Sequence, residues 1–184
     1  MSILLGSLIG LVLLVYFLAQ YVLNEKQLYQ LRYTLYVASV MLVALITAPL
    51  FLVRPRHASN IRRAALIVNP VLSLFGMTYR IDNAEVLPKN GPCVIVANHQ
   101  SSIDFIGMMH LWPEYVGYCT ILAKRELLWA GPFGLTAWLA GLEYVDRKNR
   151  ARSSETMRQL TKKIKEHSLR LWIFPEGERR ASDG

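Results

Sequence analysis

The sequence predicts an α/β protein in which a membrane-embedded helical hairpin precedes a domain with a mostly parallel sheet. Two long uncharged apolar stretches open the chain, and short strand-like runs alternate with helical stretches in the remainder. Polar clusters follow three of those strand-like runs. Alternation of this kind is typical of parallel strands covered by helices. We expect the hairpin at residues 1–56 and the α/β domain at residues 57–184.

The hairpin is predicted from stretch length and charge. Ile3–Leu23 and Tyr33–Val53 each contain 21 residues without a charged side chain. A helix of that length crosses a hydrocarbon core of roughly 30 Å. Asn24–Arg32 is the polar connection between them. Two alternatives stay open: the first stretch is a cleaved signal peptide, although it lacks a basic flank, or the hairpin rests in one leaflet.

The net charge and its distribution indicate the kind of partner and the orientation of the chain in the membrane. The chain carries 21 Lys and Arg against 13 Asp and Glu, a formal charge of +8, with no charged residue before Glu25. A basic chain with an apolar amino-terminal part favours anionic lipid headgroups or phosphorylated substrates as partners. The lack of interleaved aromatic and basic residues argues against nucleic acid as a partner. The positive-inside rule places the α/β domain in the cytosol, because basic residues crowd the far side of the second stretch: Arg54, Arg56, Arg62 and Arg63.

The elements of the α/β domain follow from hydrophobic periodicity and turn residues. Strands are predicted at Tyr79–Asp82, Pro92–Ala97, Tyr118–Ala123, Leu142–Asp146 and Leu171–Phe174. Helices are predicted at Ala64–Gly76, Asp104–Trp112, Glu126–Ala140 with a break at Gly131-Pro132, and Ser154–His167 with Ser153 or Ser154 as its cap.

His99 and Asp104 lie where the strand ending at Ala97 turns into a helix. A carboxylate in the first helical turn is near enough to accept a hydrogen bond from the imidazole, while Ser101 or Ser102 caps the helix. An imidazole oriented in this way is a general base, worth about 10²–10⁴ in rate. The alternative, for the His-x4-Asp pattern taken alone, is that its spacing is incidental. A serine nucleophile is less favoured because neither serine lies in a Gly-x-Ser-x-Gly elbow. The sequence places no second His or Cys beside His99 for a metal site.

Two further polar clusters follow strands, and ligands of parallel sheets gather at those strand ends. Glu176, Gly177 and Arg179 combine a glycine that lets the backbone approach a ligand with an arginine fork suited to phosphate. Arg147 offers a similar fork, or pairs with its neighbour Asp146. The alternative for the cluster of Glu176, Gly177 and Arg179 is a solvated basic turn.

Taken together, these clusters resemble the motifs of the glycerolipid acyltransferase family. Asn98 to Asp104 matches the family's Asn-His-x4-Asp motif. Ala123 to Gly131 and Gly141 to Arg147 are similar to its second block, and Phe174 to Arg179 to its third. Glu178 stands where the family usually has a threonine. The chain ends where family members continue, so we expect the carboxyl-terminal part of the domain to be missing.

The resemblance implies transfer of a fatty acyl group from acyl-CoA to the free hydroxyl of lysophosphatidate, giving phosphatidate without a cofactor or a metal. It makes His99 the base and Asp104 its orienting carboxylate. It assigns four residues to the phosphate-binding region: Glu176, Gly177, Arg179 and Arg147. It also implies membrane lipids as partners and a multi-pass location in the endoplasmic reticulum membrane. The alternatives are a catalytically silent membrane protein of the same family and an acyltransferase for another glycerolipid acceptor.

Overall fold

A computed structural model of the chain describes residues 14–15, 18–73, 79–88, 91–101 and 103–177. Contacts divide the chain into two compact units, Met1–Ala38 and Ser39–Gly184. The boundary between these units falls inside the first long helix, whereas the predicted domain boundary follows residue 56.

The first long helix, α1, extends over Glu25–Phe51 and includes most of the predicted polar connection. The expectation of a connection at Asn24–Arg32 is therefore wrong. The physical reason is a capping box, in which the backbone amide of Gln27 donates to Asn24 Oδ1 at 2.9 Å and the amide of Asn24 donates to Gln27 Oε1 at 3.1 Å. These bonds satisfy amides that a helix start leaves unpaired.

Helix α1 is long and apolar enough to cross a membrane, with a mean hydropathy of 2.1 over its best window. It covers the second predicted span. The first predicted span, Ile3–Leu23, lies mostly outside the described residues, although 18–22 are helical. The hairpin as a whole stays a prediction.

Among the described residues, four parallel strands form one sheet: β1 (Val94–Val96), β2 (Cys119–Lys124), β3 (Glu143–Val145) and β4 (Arg170–Ile173). Their order across the sheet is β1-β4-β2-β3, so the last strand lies between the first and the second. The predicted mostly parallel α/β fold is confirmed. The predicted strand at Tyr79–Asp82 is wrong, since these residues are irregular and the Tyr79 ring lies against Gly107.

In the part of the chain that the structure describes, four helices accompany the sheet: α2 (Ser59–Ser73), α3 (Asp104–Leu111), α4 (Gly131–Leu139) and α5 (Arg150–His167). Shorter turns of 3₁₀ helix cover Ala84–Val86 and Arg125–Trp129, and a π-helical turn covers Trp112–Val116. Helix α5 starts four residues before the predicted Ser154, because the Asn149 side chain accepts a hydrogen bond from the Arg152 amide at 3.0 Å. A serine cap at that position is therefore wrong.

The core fills the space between the sheet and helices α1 to α4. Its largest fully buried side chains come from the helices and from the turns between them and the sheet: Phe51, Ile106, Met109, Trp112 and Leu139. Because all four strands are parallel, their carboxyl ends lie at one edge of the sheet. The described residues of the three polar clusters follow at that edge.

Candidate active site

His99 and Asp104 meet in the turn between β1 and α3, as the sequence predicts. Asp104 Oδ2 accepts hydrogen bonds from His99 Nδ1 at 2.9 Å, from the Gln100 amide at 2.7 Å and from the Ser101 amide at 2.9 Å. Because an ionised carboxylate only accepts hydrogen bonds, Nδ1 of His99 carries the proton. The lone pair of the other ring nitrogen, Nε2, is then available to take a proton from a ligand.

The charge on Asp104 is stabilised by these bonds. Partial burial raises the pKa of the Asp104 carboxyl, but the bonds from Ser101, His99 and Gln100 outweigh burial and lower the pKa overall. A pKa below the unfolded value of about 3.9 stabilises the fold above that pH, and this stability is lost as the pH falls through the lowered pKa. At neutral pH the carboxylate is therefore a fixed partner for the imidazole.

Ser101 does not cap α3 in the structure. The side chain of Ser101 instead accepts a bond from the Ile103 amide at 3.0 Å, inside the turn. Helix α3 has no side-chain cap at Ile103. The Asp104 carboxylate, at the first residue of the helix, accepts bonds from the amides of Gln100 and Ser101. Ser102 lies outside the described residues. The Ser101 contact shapes the turn that holds His99.

Phe174, which follows β4, stacks on the His99 ring. The two ring centroids are 4.4 Å apart and the planes differ by 28°. Phe174 in turn lies 6.3 Å from the Trp172 ring, which stacks on Trp112 in the core at 6.1 Å. The imidazole is thus held at its edge by a carboxylate and on its face by a row of aromatic rings anchored in the core. Sequence reasoning included Phe174 in a motif but gave it no function.

Tyr79 is a second neighbour that sequence reasoning missed. Burial, followed by the negative charge of Asp104, raises the pKa of the Tyr79 phenol, so the phenol stays neutral near physiological pH. Its ring packs 5.4 Å from the ring of His110 on α3. Tyr79 therefore adds a protonated hydroxyl-bearing ring to the surroundings of Asp104.

The structure joins Arg147 to the turn after β4. Nη1 of Arg147 donates a hydrogen bond to the Gly177 carbonyl oxygen. Gly177 has a φ of +72°, and a Cβ there would lie 3.2 Å from the Arg147 guanidinium, so a side chain at this position is both strained and crowded. Glu176 is exposed on the same turn. Arg179, the fourth residue of the predicted phosphate-binding region, lies outside the described residues.

Asp146 pairs with arginines other than Arg147. It pairs with Arg125 at 3.5 Å and with Arg152 at 3.6 Å. Together these three side chains help to line a cavity of about 450 Å³ between β3 and α5, whose other lining residues are Leu128, Tyr144, Ala151, Glu155, Thr156 and Gln159. Because its arginines face carboxylates, this cavity is a weaker candidate for an anion than the turn at Gly177.

The strand ends therefore form one connected edge. His99 contacts Phe174 after β4, the amide of Gly177 donates to the Phe174 carbonyl at 3.0 Å, and Arg147 reaches Gly177 from the end of β3. Within the part of the chain that the structure describes, His, Cys, Asp and Glu side chains form no group of three that could hold a metal ion. The arrangement suits proton transfer beside a turn that is held by an arginine side chain.

Comparison with known proteins identifies the family. The model of the Acyltransferase family matches residues 78–184. The chain is 36% identical over 151 residues to the 1-acyl-sn-glycerol-3-phosphate acyltransferase alpha of Ovis aries, covering 82% of this chain and 52% of the relative. It is 32% identical over 150 residues to the human beta protein, covering 80% and 53%, and 27% identical over 155 residues to the 1-acyl-sn-glycerol-3-phosphate acyltransferase of Haemophilus influenzae, covering 84% and 63%.

The chain spans about half the length of the mammalian relatives. No solved structure matches it. The family model covers more than half of the chain, including all three motifs read from the sequence. The chain belongs to the acyltransferase family, and the resemblance drawn from those motifs is confirmed.

Proposed function

We propose that this chain acts as a 1-acyl-sn-glycerol-3-phosphate acyltransferase, which moves a fatty acyl group from acyl-CoA to the sn-2 hydroxyl of its lipid acceptor and produces phosphatidic acid. The observation that carries the proposal is the His99 imidazole, held by Asp104 at one edge with its Nε2 available as a base. The names of the curated relatives support the acceptor. The acyl-CoA donor follows from the family resemblance.

The proposed chemistry is one acyl transfer assisted by a base. Nε2 of His99 takes the proton from the acceptor hydroxyl as its oxygen attacks the thioester carbonyl. A C–O ester bond forms and the C–S bond breaks. The imidazolium, stabilised by Asp104, returns the proton to the departing thiolate, so the enzyme ends as it began.

The turn after β4 is the proposed site for the acceptor's phosphate. Arg147 has five N–H donors and uses one on Gly177, which leaves others for phosphate oxygens. Gly177 has no side chain to block the approach. Arg179 joins the proposed site through its motif position. Glu176 carries a negative charge at the same turn, so its proposed contribution is to position the turn and the basic groups.

Membrane association is part of the proposal. Helix α1 is apolar, and exposed arginines follow it: Arg54, Arg62 and Arg63. With a second span at residues 3–23, the protein would cross the endoplasmic reticulum membrane more than once and expose the acyltransferase domain to the cytosol. A lipid acceptor would then reach the site from the membrane surface.

The experiment measures acyl transfer by the reconstituted protein, with labelled acyl-CoA and lysophosphatidate. His99→Ala should lower the rate by about 10²–10⁴, because the base is removed. His167→Ala is the matched control, since this exposed histidine at the end of α5 should leave the rate unchanged. A His99→Ala rate equal to that of the original chain would exclude His99 as the base. Glycerol-3-phosphate in place of lysophosphatidate tests the alternative acceptor.

A further inference from the structure

Helix α4 and the 3₁₀ turn before it expose large apolar side chains on one side. Trp129 is 86% exposed, Leu135 54% and Trp138 39%. Leu135 and Trp138 are three residues apart and therefore share a face of α4. Gly134 lies directly against the backbone of Leu128, which keeps the 3₁₀ turn close to the helix.

Helix α4 packs against α1 through its buried side. Thr136 Oγ1 donates a hydrogen bond to the Ala44 carbonyl at 2.8 Å, and the Arg56 guanidinium lies 5.5 Å from the Trp138 ring. The last turns of α1 therefore pack against the acyltransferase domain along one side only. The side chains on the packed side are buried: Val43, Ala44, Thr47 and Phe51.

The opposite side of the same turns is exposed and apolar. We use the term apolar face for these exposed residues of α1 together with those of the α4 region: Leu42, Leu45, Ile46, Leu50, Trp129, Leu135 and Trp138. Large exposed apolar patches on proteins mark surfaces that contact another molecule or a membrane.

We propose that the apolar face is a lipid-contacting surface, so that α4 and Trp129 enter the interfacial region of the bilayer beside α1. The proposal goes beyond acyl transfer and rests on the proposed membrane association of α1. From Ala44 to Phe51 the helix rises about 10 Å at 1.5 Å per residue. Because Thr136 of α4 is hydrogen-bonded to Ala44 of α1, a membrane-embedded α1 would hold α4 at the membrane surface.

Lipid fits this face better than a second copy of the chain. Tryptophan rings favour the boundary between headgroups and acyl chains. The exposed Arg54 directly after α1, and Arg62 and Arg63 at the start of α2, supply positive charge for anionic headgroups. Amphipathic helices that lie in an interface bury their apolar face by about 5–10 Å, a length comparable to the rise of α1 from Ala44 to Phe51.

The test uses tryptophan fluorescence of the full chain in vesicles of phosphatidylcholine and phosphatidylglycerol, with brominated or unbrominated acyl chains. Bromine quenches tryptophans that contact lipid. The chain has four tryptophans, and Trp112 and Trp172 are 0% and 5% exposed in the core. These two remain in Trp129→Phe/Trp138→Phe as an internal reference. Phenylalanine keeps an aromatic ring at both exposed positions and so preserves the fold.

We expect brominated lipid to quench the original chain strongly, and the double variant to lose most of that quenching. Each single variant should lose part of it. Equal quenching of the original chain and the double variant would overturn the proposal. An original chain that is not quenched would also overturn it. If cross-linking then joins two copies through the apolar face, a second copy and not lipid covers that face. Acyl transfer measured in the same vesicles is a separate readout, so an inactive but quenched protein contradicts only the proposed function.

Discussion

At the residue scale, the candidate site depends on how one imidazole is held. Asp104 fixes the edge of the His99 ring and Phe174 covers its face. Both side chains of the His99–Asp104 pair are about one-quarter exposed, at 26% and 24%. The ring is therefore oriented by the protein and still open to a ligand.

Replacing Phe174 by leucine tests the importance of the stack. An aromatic pair contributes about 0.5–1.5 kcal/mol beyond its buried area, so Phe174→Leu should lower kcat by up to about tenfold while KM changes little. The freed imidazole should also react faster with diethyl pyrocarbonate, measured at His99 by peptide mass. Phe174→Tyr keeps the ring and is the matched control. If the leucine and tyrosine variants agree in both rate and reactivity, stacking has no positioning function.

The His99–Asp104 pair is predictable from sequence because its members share one turn. A hydrogen bond across a strand-to-helix turn needs only local geometry, which the residue pattern indicates. The contact of His99 with Phe174 joins segments that are far apart in the chain. Its existence depends on β4 lying beside β1, and no local pattern specifies that neighbour.

At the element scale, single capping side chains decide where helices begin. The apolar periodicity of α5 begins at Met157, whereas the helix begins at Arg150 because Asn149 caps it. The first turns are polar and exposed, so hydrophobic periodicity does not detect them. Asn24 has the same effect on α1. The sequence therefore predicts which helices exist better than it predicts where they start.

Two helical glycines form a matched pair for testing how elements pack. A Cβ on Gly134 of α4 would lie 2.4 Å from the Leu128 carbonyl oxygen, whereas a Cβ on Gly107 of α3 would lie at an ordinary 3.5 Å from the Tyr79 ring. Gly134→Ala should lower the free energy of unfolding by about 1–3 kcal/mol through overpacking. Gly107→Ala should leave it unchanged or raise it by up to about 1 kcal/mol, because alanine favours helix.

Denaturant unfolding of both variants in the same detergent measures the difference. The spectrum of exposed Trp129 provides a second readout, since only Gly134→Ala is expected to move the 3₁₀ turn. Equal stability of the two alanine variants would contradict the close approach of α4 to Leu128.

At the scale of the whole molecule, the strand order assembles the candidate site. Because β4 is inserted between β1 and β2, the turn at Gly177 lies next to His99 and within reach of Arg147. The sequence predicts parallel strands and polar residues at their ends, which is enough to expect one shared edge. It does not predict the order, because hydrophobic patterns are alike for any arrangement of buried parallel strands.

At the opposite edge of the sheet, a buried arginine at the start of β4 connects the neighbouring segments through hydrogen bonds. Arg170, which begins β4, is 5% exposed. Its guanidinium donates to four backbone carbonyl oxygens: Pro88 at 2.6 Å, Gly91 at 3.2 Å, and Tyr115 and Val116 at 3.1 Å each. Arg170 thereby connects the segment before β1 with the π-helical turn after α3.

Replacing Arg170 by methionine should separate stability from chemistry. Arg170→Met leaves buried carbonyl oxygens without their donors, so the free energy of unfolding should fall by about 3–5 kcal/mol, measured by denaturant unfolding. Acyl transfer at low temperature should persist in the folded fraction, because Arg170 starts β4 whereas His99, Phe174 and Gly177 follow the ends of strands. Arg158→Met, at an exposed arginine of α5 that pairs with Glu155, should leave stability unchanged. Matching stability of the two methionine variants would show that the Arg170 hydrogen bonds are dispensable.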